Sequence, residues 1–425
     1  MPKYVIIGAS ASGIGAVEAI RNIDPVGTLT VISEEACPQY SRPMISDFVS
    51  GKATFQRMMC REDGFWKQNN VDALLGTTAT GLNLREKTVS LENGREIHFE
   101  KLLLATGGKP FVPVMDGSDK DGVFTFTKIS DAERLAEKLE TARSVVVIGA
   151  GLIGISVTEA LVKRGLKVTM VELQPKILSL LLDEKGSDII ENTIQKAGVT
   201  IITGQSVQRI MGKSDNDPTV GSVILTNGEQ VKCDAVIVAI GVVPRTELVV
   251  GTEIKLNRGI VVDNHMQTNV PDVYASGDVA EAYDFTLNQN RLLPLWPLAV
   301  AEGKVAGANM AGKKTEYAGG TNMSSLKYFG IPVVSIGVAN PKDATGYEIL
   351  TRYEPEKELY KKIVLRDNVI VGITLVNDVE RAGTLFHLMK NRVSVKRFKH
   401  EVISDVFSLA VLPASIRKDM CLGCA

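Results

Sequence analysis

A chain of 425 residues is long enough for two or three domains, and 44% hydrophobic with 23% charged residues is the balance of a globular protein with a sizeable core. A net charge of −1 supplies no field to draw nucleic acid or anionic lipid, and no apolar run approaches the ~20 residues that cross a bilayer. Five cysteines, odd in number and mostly scattered, suit a reducing compartment better than a disulfide framework. The first strand-like run, Tyr4 to Ile7, leaves no room for a leader, so the cytoplasm is the expected address.

The run Tyr4-Val-Ile-Ile enters Gly8-Ala-Ser10-Ala-Ser-Gly13 and then a helical stretch, and the next apolar run, 29–33, ends in Glu34 and Glu35. Residues 101–105 read as a buried strand that leaves its sheet at Thr106-Gly107-Gly108. The opening grammar then repeats. Val145-Val-Val-Ile enters Gly149-Ala-Gly151-Leu-Ile-Gly154, and 167–171 ends in Glu172. Further strands are expected at 220–226, 235–240 and 259–263, and Ala239-Ile-Gly241-Val-Val-Pro244-Arg245 mirrors the crossing at Gly107. The spacing therefore predicts a discontinuous first domain, 1–110 and 240–318, with a second, 111–239, inserted in it. From Gly319 the pattern changes to strands at 333–338, 362–365 and 369–375, with helices at 379–390 and after Ser404, a third domain over 319–425. The expected fold class is α/β: two doubly wound, Rossmann-like nucleotide-binding domains plus a C-terminal α+β domain.

A lone G-x-G-x-x-G is weak evidence. It gains weight when it follows a strand, opens a helix and is followed by an acid about 20 residues on, as both copies are. The first glycine permits the tight turn, the second lets backbone N–H groups approach a pyrophosphate, and the third lets the helix pack on the strand. The helix N-terminus then presents its positive dipole end to phosphate, and the acid accepts from ribose hydroxyls. The first copy departs at the second glycine, where Ser10 stands, a small residue with a hydroxyl donor. Glu172 would repel a 2′-phosphate and no arginine follows it, which favours NAD(H) over NADP(H).

A third signature, Thr268-Asn-Val-Pro-Asp-Val-Tyr-Ala-Ser-Gly277-Asp278, resembles the second FAD motif of the pyridine nucleotide-disulfide oxidoreductase superfamily. The first glycine motif, Ala105-Thr106-Gly107 and Pro244 match the same family, and the resemblance covers essentially the whole chain. It implies that Asp278 holds the ribityl chain of FAD. It also implies that Gly8, Ser10, Gly13 and Glu34 belong to the FAD site, and Gly149, Gly151, Gly154, Glu172 and Gly241 to the nicotinamide site. Tyr40-Ser-Arg42-Pro43-Met-Ile-Ser is similar to rubredoxin reductases and NADH oxidases, which places Arg42 and Pro43 at the flavin. Relatives that reduce disulfides or peroxides carry a reactive cysteine in this region. Here Pro43 stands there, Cys37 lies upstream, and a thiol relay has no evident nucleophile. A lysine–glutamate pair of many relatives is replaced by Asp47 and Ser156. The helix opened by Trp296-Pro297 is implied to aim its N-terminus at the flavin, with a core-and-cap role as the other reading.

The tail Cys421-Leu-Gly-Cys424 offers too few ligands for a metal and reads as an exposed terminus, and the four histidines show no ligand spacing. No metal and no catalytic acid or base are expected, since hydride transfer to flavin needs none. The expected activity is electron transfer between NAD(H) and a one-electron iron–sulfur partner. The chain would act as a stand-alone reductase, a homodimer, or the FAD subunit of a larger complex. The alternatives are an NADH oxidase that reduces dioxygen and a redox-gated interaction or sensor protein. Lys390, Arg392, Lys396, Arg397 and Lys399, five cations in ten residues, are the candidate docking stretch for an acidic carrier, against the reading of a solvated strand edge.

Overall fold

The computed structural model describes residues 3–405 apart from 216 and 342, together with 407, 408, 410, 412–414 and 417. The expected helix after Ser404 falls largely outside these residues, and the Cys421/Cys424 tail lies wholly outside them. By internal contact the chain divides into two compact units. The first is Met1–Phe111 with Thr127–Ile129 and Val242–Gly320; the second is Val112–Phe126 with Ser130–Gly241 and Thr321–Ala425.

The first unit is built on a five-stranded parallel sheet in the order Val273–Ala275, Lys101–Leu104, Tyr4–Ile7, Leu29–Ser33, Asp72–Leu75. Its central strands are buried along their whole length, which calls for largely apolar runs. The helix Ala11–Ile23 packs on the helix Trp296–Met310 almost backbone to backbone. A Cβ on Gly303 would lie 2.0 Å from the Ser12 carbonyl oxygen, and one on Gly307 would lie 2.5 Å from that of Ala16. Glycines at i and i+4 facing Ser12 and Ala16 make that approach possible. The two crossings read from sequence are neighbours: Gly108–Pro110 pairs antiparallel with Val242–Pro244.

The second unit repeats the parallel sheet in the order Thr200–Thr203, Lys167–Glu172, Ser144–Ile148, Ala235–Val238, Val123–Thr125. It also holds a five-stranded antiparallel sheet, ordered Met323–Tyr328, Ile331–Gly337, Val369–Val376, Leu359–Arg366, Glu348–Glu354, followed by the helix Ala382–Lys390. The three inner strands are the apolar runs visible in the sequence. The edge strands Met323–Tyr328 and Glu348–Glu354 are largely exposed, so their composition carries no strand signal. Two three-stranded antiparallel sheets complete the strands, Ala79–Asn83 with Thr88–Leu91 and Glu96–His98, and Val207–Gly212 with Val220–Leu225 and Gln230–Lys232, of which Val220–Leu225 is the strand expected at 220–226. The strand expected at 259–263 shrinks to Ile260–Val261.

The close helix pair makes a prediction. Gly303→Ala should destabilise the first unit by about 3 kcal/mol, because the clash is with backbone and not with a side chain that can turn away. Gly383→Ala, in a helix with nothing within 4 Å of the added carbon, should be neutral or stabilising by up to about 1 kcal/mol. Urea unfolding midpoints of the two variants check the contrast.

Candidate functional site

Each parallel sheet carries one glycine turn, and the two are built alike. Gly8 has φ +114° and its N–H donates to Ile32 O at 2.8 Å; Gly149 has φ +100° and donates to Val171 O at 2.8 Å. Both conformations favour glycine. A Cβ on Gly8 would sit 2.0 Å from Ala105 O, and one on Gly149 would sit 2.6 Å from Ala239 O. At the third position, a Cβ on Gly13 or Gly154 would lie 1.9 Å from the carbonyl oxygen of Gly8 or Gly149. At the second position, Ser10 (φ −90°, ψ −154°) and Gly151 (φ −82°, ψ −168°) share an extended conformation open to any residue, so serine costs the first turn no backbone strain. Neither helix is capped by a side chain or has an acid in its first turn. Their leading N–H groups and dipole ends therefore fit the pyrophosphate of a dinucleotide.

Around the first turn the structure gathers most of the residues expected there. Ala105 follows the Lys101–Leu104 strand and its N–H donates to Ile7 O at 2.8 Å. The Thr106 hydroxyl donates to Arg245 O at 2.7 Å, and Gly107 O accepts from Arg245 N at 2.9 Å. Gly277, at φ +77°, packs on Ser12, whose hydroxyl is hydrogen-bonded to that of Ser276. That contact brings Asp278 to the start of the helix Ala11–Ile23. Among the described residues no group hydrogen-bonds the Asp278 carboxyl; burial raises its pKa, against the pull of the nearby Arg42 guanidinium. A half-buried carboxyl without a protein partner beside an uncapped helix start fits a ligand hydroxyl. Trp296, half-buried, is the first residue of the 15-residue helix that packs on this one.

The acids at the end of the second strand are tied by Arg42, Arg245, Tyr40 and Lys128, the last of which sequence reasoning missed. Glu34 pairs with Lys128 and, at 2.7 Å, with Arg245 Nη1. Burial raises its pKa, but these two cations outweigh burial and hold it below the usual range. Glu35 pairs with Arg42 and accepts from the Tyr40 hydroxyl at 2.7 Å. Arg42 also donates to Thr127 O at 3.0 Å, and Tyr40 accepts from Ile129 N at 2.9 Å. Arg42 is thus held by Glu35 and Thr127. Nothing in the local sequence announces Lys128 as a partner of Glu34, 94 residues away; only the fold brings them together. Pro43 is exposed in the short turn Arg42–Met44, and Asp47 pairs with Lys52 at 3.1 Å.

In the second unit the Glu172 carboxylate accepts from Ala150 N at 2.7 Å and Gln174 N at 2.8 Å, which presses it against the glycine turn. Lys176, the one cation near it in sequence, is paired with Asp188 and, at 3.2 Å, with Glu191. Gly241, exposed at φ +118°, follows the Ala235–Val238 strand, and Ser156 sits half-buried in the helix Leu152–Lys163. The three described cysteines are free thiols. Burial raises the pKa of Cys37, with help from Asp63, raises that of Cys60, and pushes Cys233 up to about 12. None is activated as a thiolate. Among the described residues no group of three or more metal-ligating side chains occurs, and no helix is long and apolar enough to cross a membrane.

Glu302 was not anticipated. It is 2% exposed, accepts from Gly277 N at 2.8 Å, and is pushed up to about 8 by burial, with Asp278 adding to the shift. The folded protein therefore keeps a proton there that the unfolded chain, with its value near 4.5, releases. Stability from this group is full below about pH 4.5 and falls as pH rises towards about 8. Glu302→Gln should flatten the decline between pH 5 and 8 in thermal midpoints of the FAD-loaded protein. Parallel curves for the two proteins would show an ordinary carboxyl.

The Pyridine nucleotide-disulphide oxidoreductase family model matches residues 2–303, and the Rubredoxin NAD+ reductase C-terminal domain model matches 323–393. The chain is 32% identical over 408 residues to the NADH-dependent phenylglyoxylate dehydrogenase subunit epsilon of Aromatoleum evansii, covering 95% of both chains. It is 28% identical to the rubredoxin-NAD(+) reductase of Pseudomonas putida, over 73% of this chain and 80% of that one. Among solved structures, NADH:rubredoxin oxidoreductase from Clostridium acetobutylicum superposes with a TM-score of 0.77 at 25% identity, covering 93% of this chain and 97% of the other. Two matched glycine turns, the Asp278 turn and these likenesses converge: the chain belongs to the pyridine nucleotide-disulphide oxidoreductase family and is an oxidoreductase that uses FAD and NAD(H).

Proposed function

We propose that the chain passes electrons between NAD(H) and a one-electron iron–sulfur partner, either as a free reductase or as the FAD subunit of a larger redox complex. The observation that carries this reading is that two glycine turns share one build while only the first has an Asp278 turn packed against its helix. The first turn then holds FAD and the second NAD(H). FAD, when bound, takes a hydride from the nicotinamide and releases electrons singly. The chain's own residues bind and orient. The amides of the Gly8–Gly13 turn would meet the FAD pyrophosphate, Glu34 would accept from its ribose and Asp278 from its ribityl hydroxyls, and the amides following Gly149 would meet the second pyrophosphate. Pro43 in place of a thiol, and three cysteines with raised pKa, support electron transfer without a disulfide relay. The partner class is supported by the relatives named for rubredoxin and by the relative that is a subunit of a larger dehydrogenase. Free thiols favour the cytoplasm as its compartment.

Two outcomes follow. NADH should reduce the bound flavin at least about tenfold more efficiently than NADPH, because Glu172 opposes a 2′-phosphate and Lys176 is already paired. Glu172→Ala should narrow the gap, as read by anaerobic flavin reduction with each cofactor. The second concerns docking. Lys390, Arg392, Lys396 and Arg397 are exposed and make no ion pair among the described residues, whereas Lys399 is paired with Glu348 at 2.6 Å. Replacing Arg392, Lys396 and Arg397 with serine should slow electron delivery to an acidic iron–sulfur carrier by about tenfold at low salt and flatten its salt dependence. Flavin reduction by NADH is the internal control. An unchanged rate across the salt range places docking elsewhere.

A further inference from the structure

The segment that follows Glu172 touches the second glycine turn directly. Leu178 N donates to Ala150 O at 3.0 Å, and the N–H of that same Ala150 donates to Glu172. Leu178 stands at φ +50°, a conformation that a leucine keeps only where its surroundings impose it. The C-terminal sheet and the bend that follows its strand Ile331–Gly337 hold the residues next to Leu178. Asn340 Nδ2 donates to Ser179 O and to Leu182 O, both at 3.0 Å. Asp183, the N-cap of the helix Glu184–Lys196, accepts from the Tyr360 hydroxyl at 2.5 Å and from Lys362 Nζ at 2.7 Å.

This contact is not a wet domain boundary. Tyr360 is 1% exposed and Lys362 3%. A Cβ on Gly186 would come within 3.3 Å of the Tyr360 ring, so the helix is bare where the ring lies. A buried lysine needs its counter-charge: Lys362 cannot turn to water and is held on Asp183, whose side chain is only partly exposed.

We propose that the C-terminal sheet is part of the NAD(H) site. Tyr360, Lys362 and Asn340 are positioning residues that hold the 178–183 segment on the Gly149 turn and thereby set affinity for the dinucleotide. The inference rests on the assignment of the second turn to NAD(H).

The test uses the full-length, FAD-loaded protein. Tyr360→Phe and Asn340→Ala remove single hydrogen bonds. The double variant Lys362→Met with Asp183→Asn removes the charge pair without stranding either partner. In each, the Kd for NAD+ on the oxidised protein and the KM for NADH should rise about five- to tenfold. FAD content and kcat at saturating NADH should change by less than about twofold. Lys362→Arg, which keeps the charge, should restore most of the affinity. If Kd and KM stay at the original values while only unfolding midpoints fall, the contact is architectural and the proposal fails. Glu172→Ala, run alongside, separates the two levels. Weaker NAD+ binding there with unaffected clamp variants sinks the clamp alone. Unchanged binding in Glu172→Ala overturns the assignment of the second turn, and the clamp with it.

Discussion

A Cβ on Gly13 would lie 1.9 Å from Gly8 O, and one on Gly154 at the same distance from Gly149 O. No side chain fits there, and the rest of both parallel-sheet layers follows from that contact. Because the helix can lie directly on the turn, it starts there, and its first N–H groups have no side-chain cap. In the first unit the same closeness continues along Gly303 and Gly307, which seat one helix on the next and bring the Asp278 turn to Ser12. The chain gives up side chains, and their hydrophobic burial, along one line in order to place backbone donors.

Charge is handled differently in the two halves. Around the first turn burial raises the pKa of two carboxyls, Asp278 and Glu302, while Glu34 and Glu35 are held by Lys128, Arg245, Arg42 and Tyr40. The segment Thr127–Ile129 is stitched to the first unit by three of those residues, which is why it groups with that unit although its flanking residues do not. In the antiparallel sheet, Lys361 and Lys362 are adjacent and both buried. Alternation along the strand sends them to opposite faces, Lys361 to Asp378 at 2.5 Å and Lys362 to Asp183. Burial raises the Asp183 pKa, but the hydrogen bonds from Lys362 and Tyr360 outweigh it and keep the carboxyl ionised. The C-terminal sheet thus meets the N-cap of the helix Glu184–Lys196 through a charged pair whose lysine is buried, and by contact the sheet and that helix belong to one unit.

Much of this was legible in the residues alone. The two turns, their acids, the buried strands and the resemblance to the FAD- and NAD(H)-dependent family all rest on short-range pattern, because a tight turn needs glycine and a strand buried on both faces needs an unbroken apolar run. Local sequence could not show which cation meets which acid. Lys128 with Glu34, Lys362 with Asp183 and the proton on Glu302 each depend on groups that are remote along the chain, and on a burial that no single stretch encodes. The exposed edge strands went unread for the same reason, since pairing and not composition makes them strands. The sequence by itself determined where backbone must be bare and where apolar side chains must be buried, because those demands are met within a few residues. Only the tertiary structure decided the partners of the charges and the seat of the C-terminal sheet, because electrostatic pairing acts through space and is settled once the chain has closed on itself.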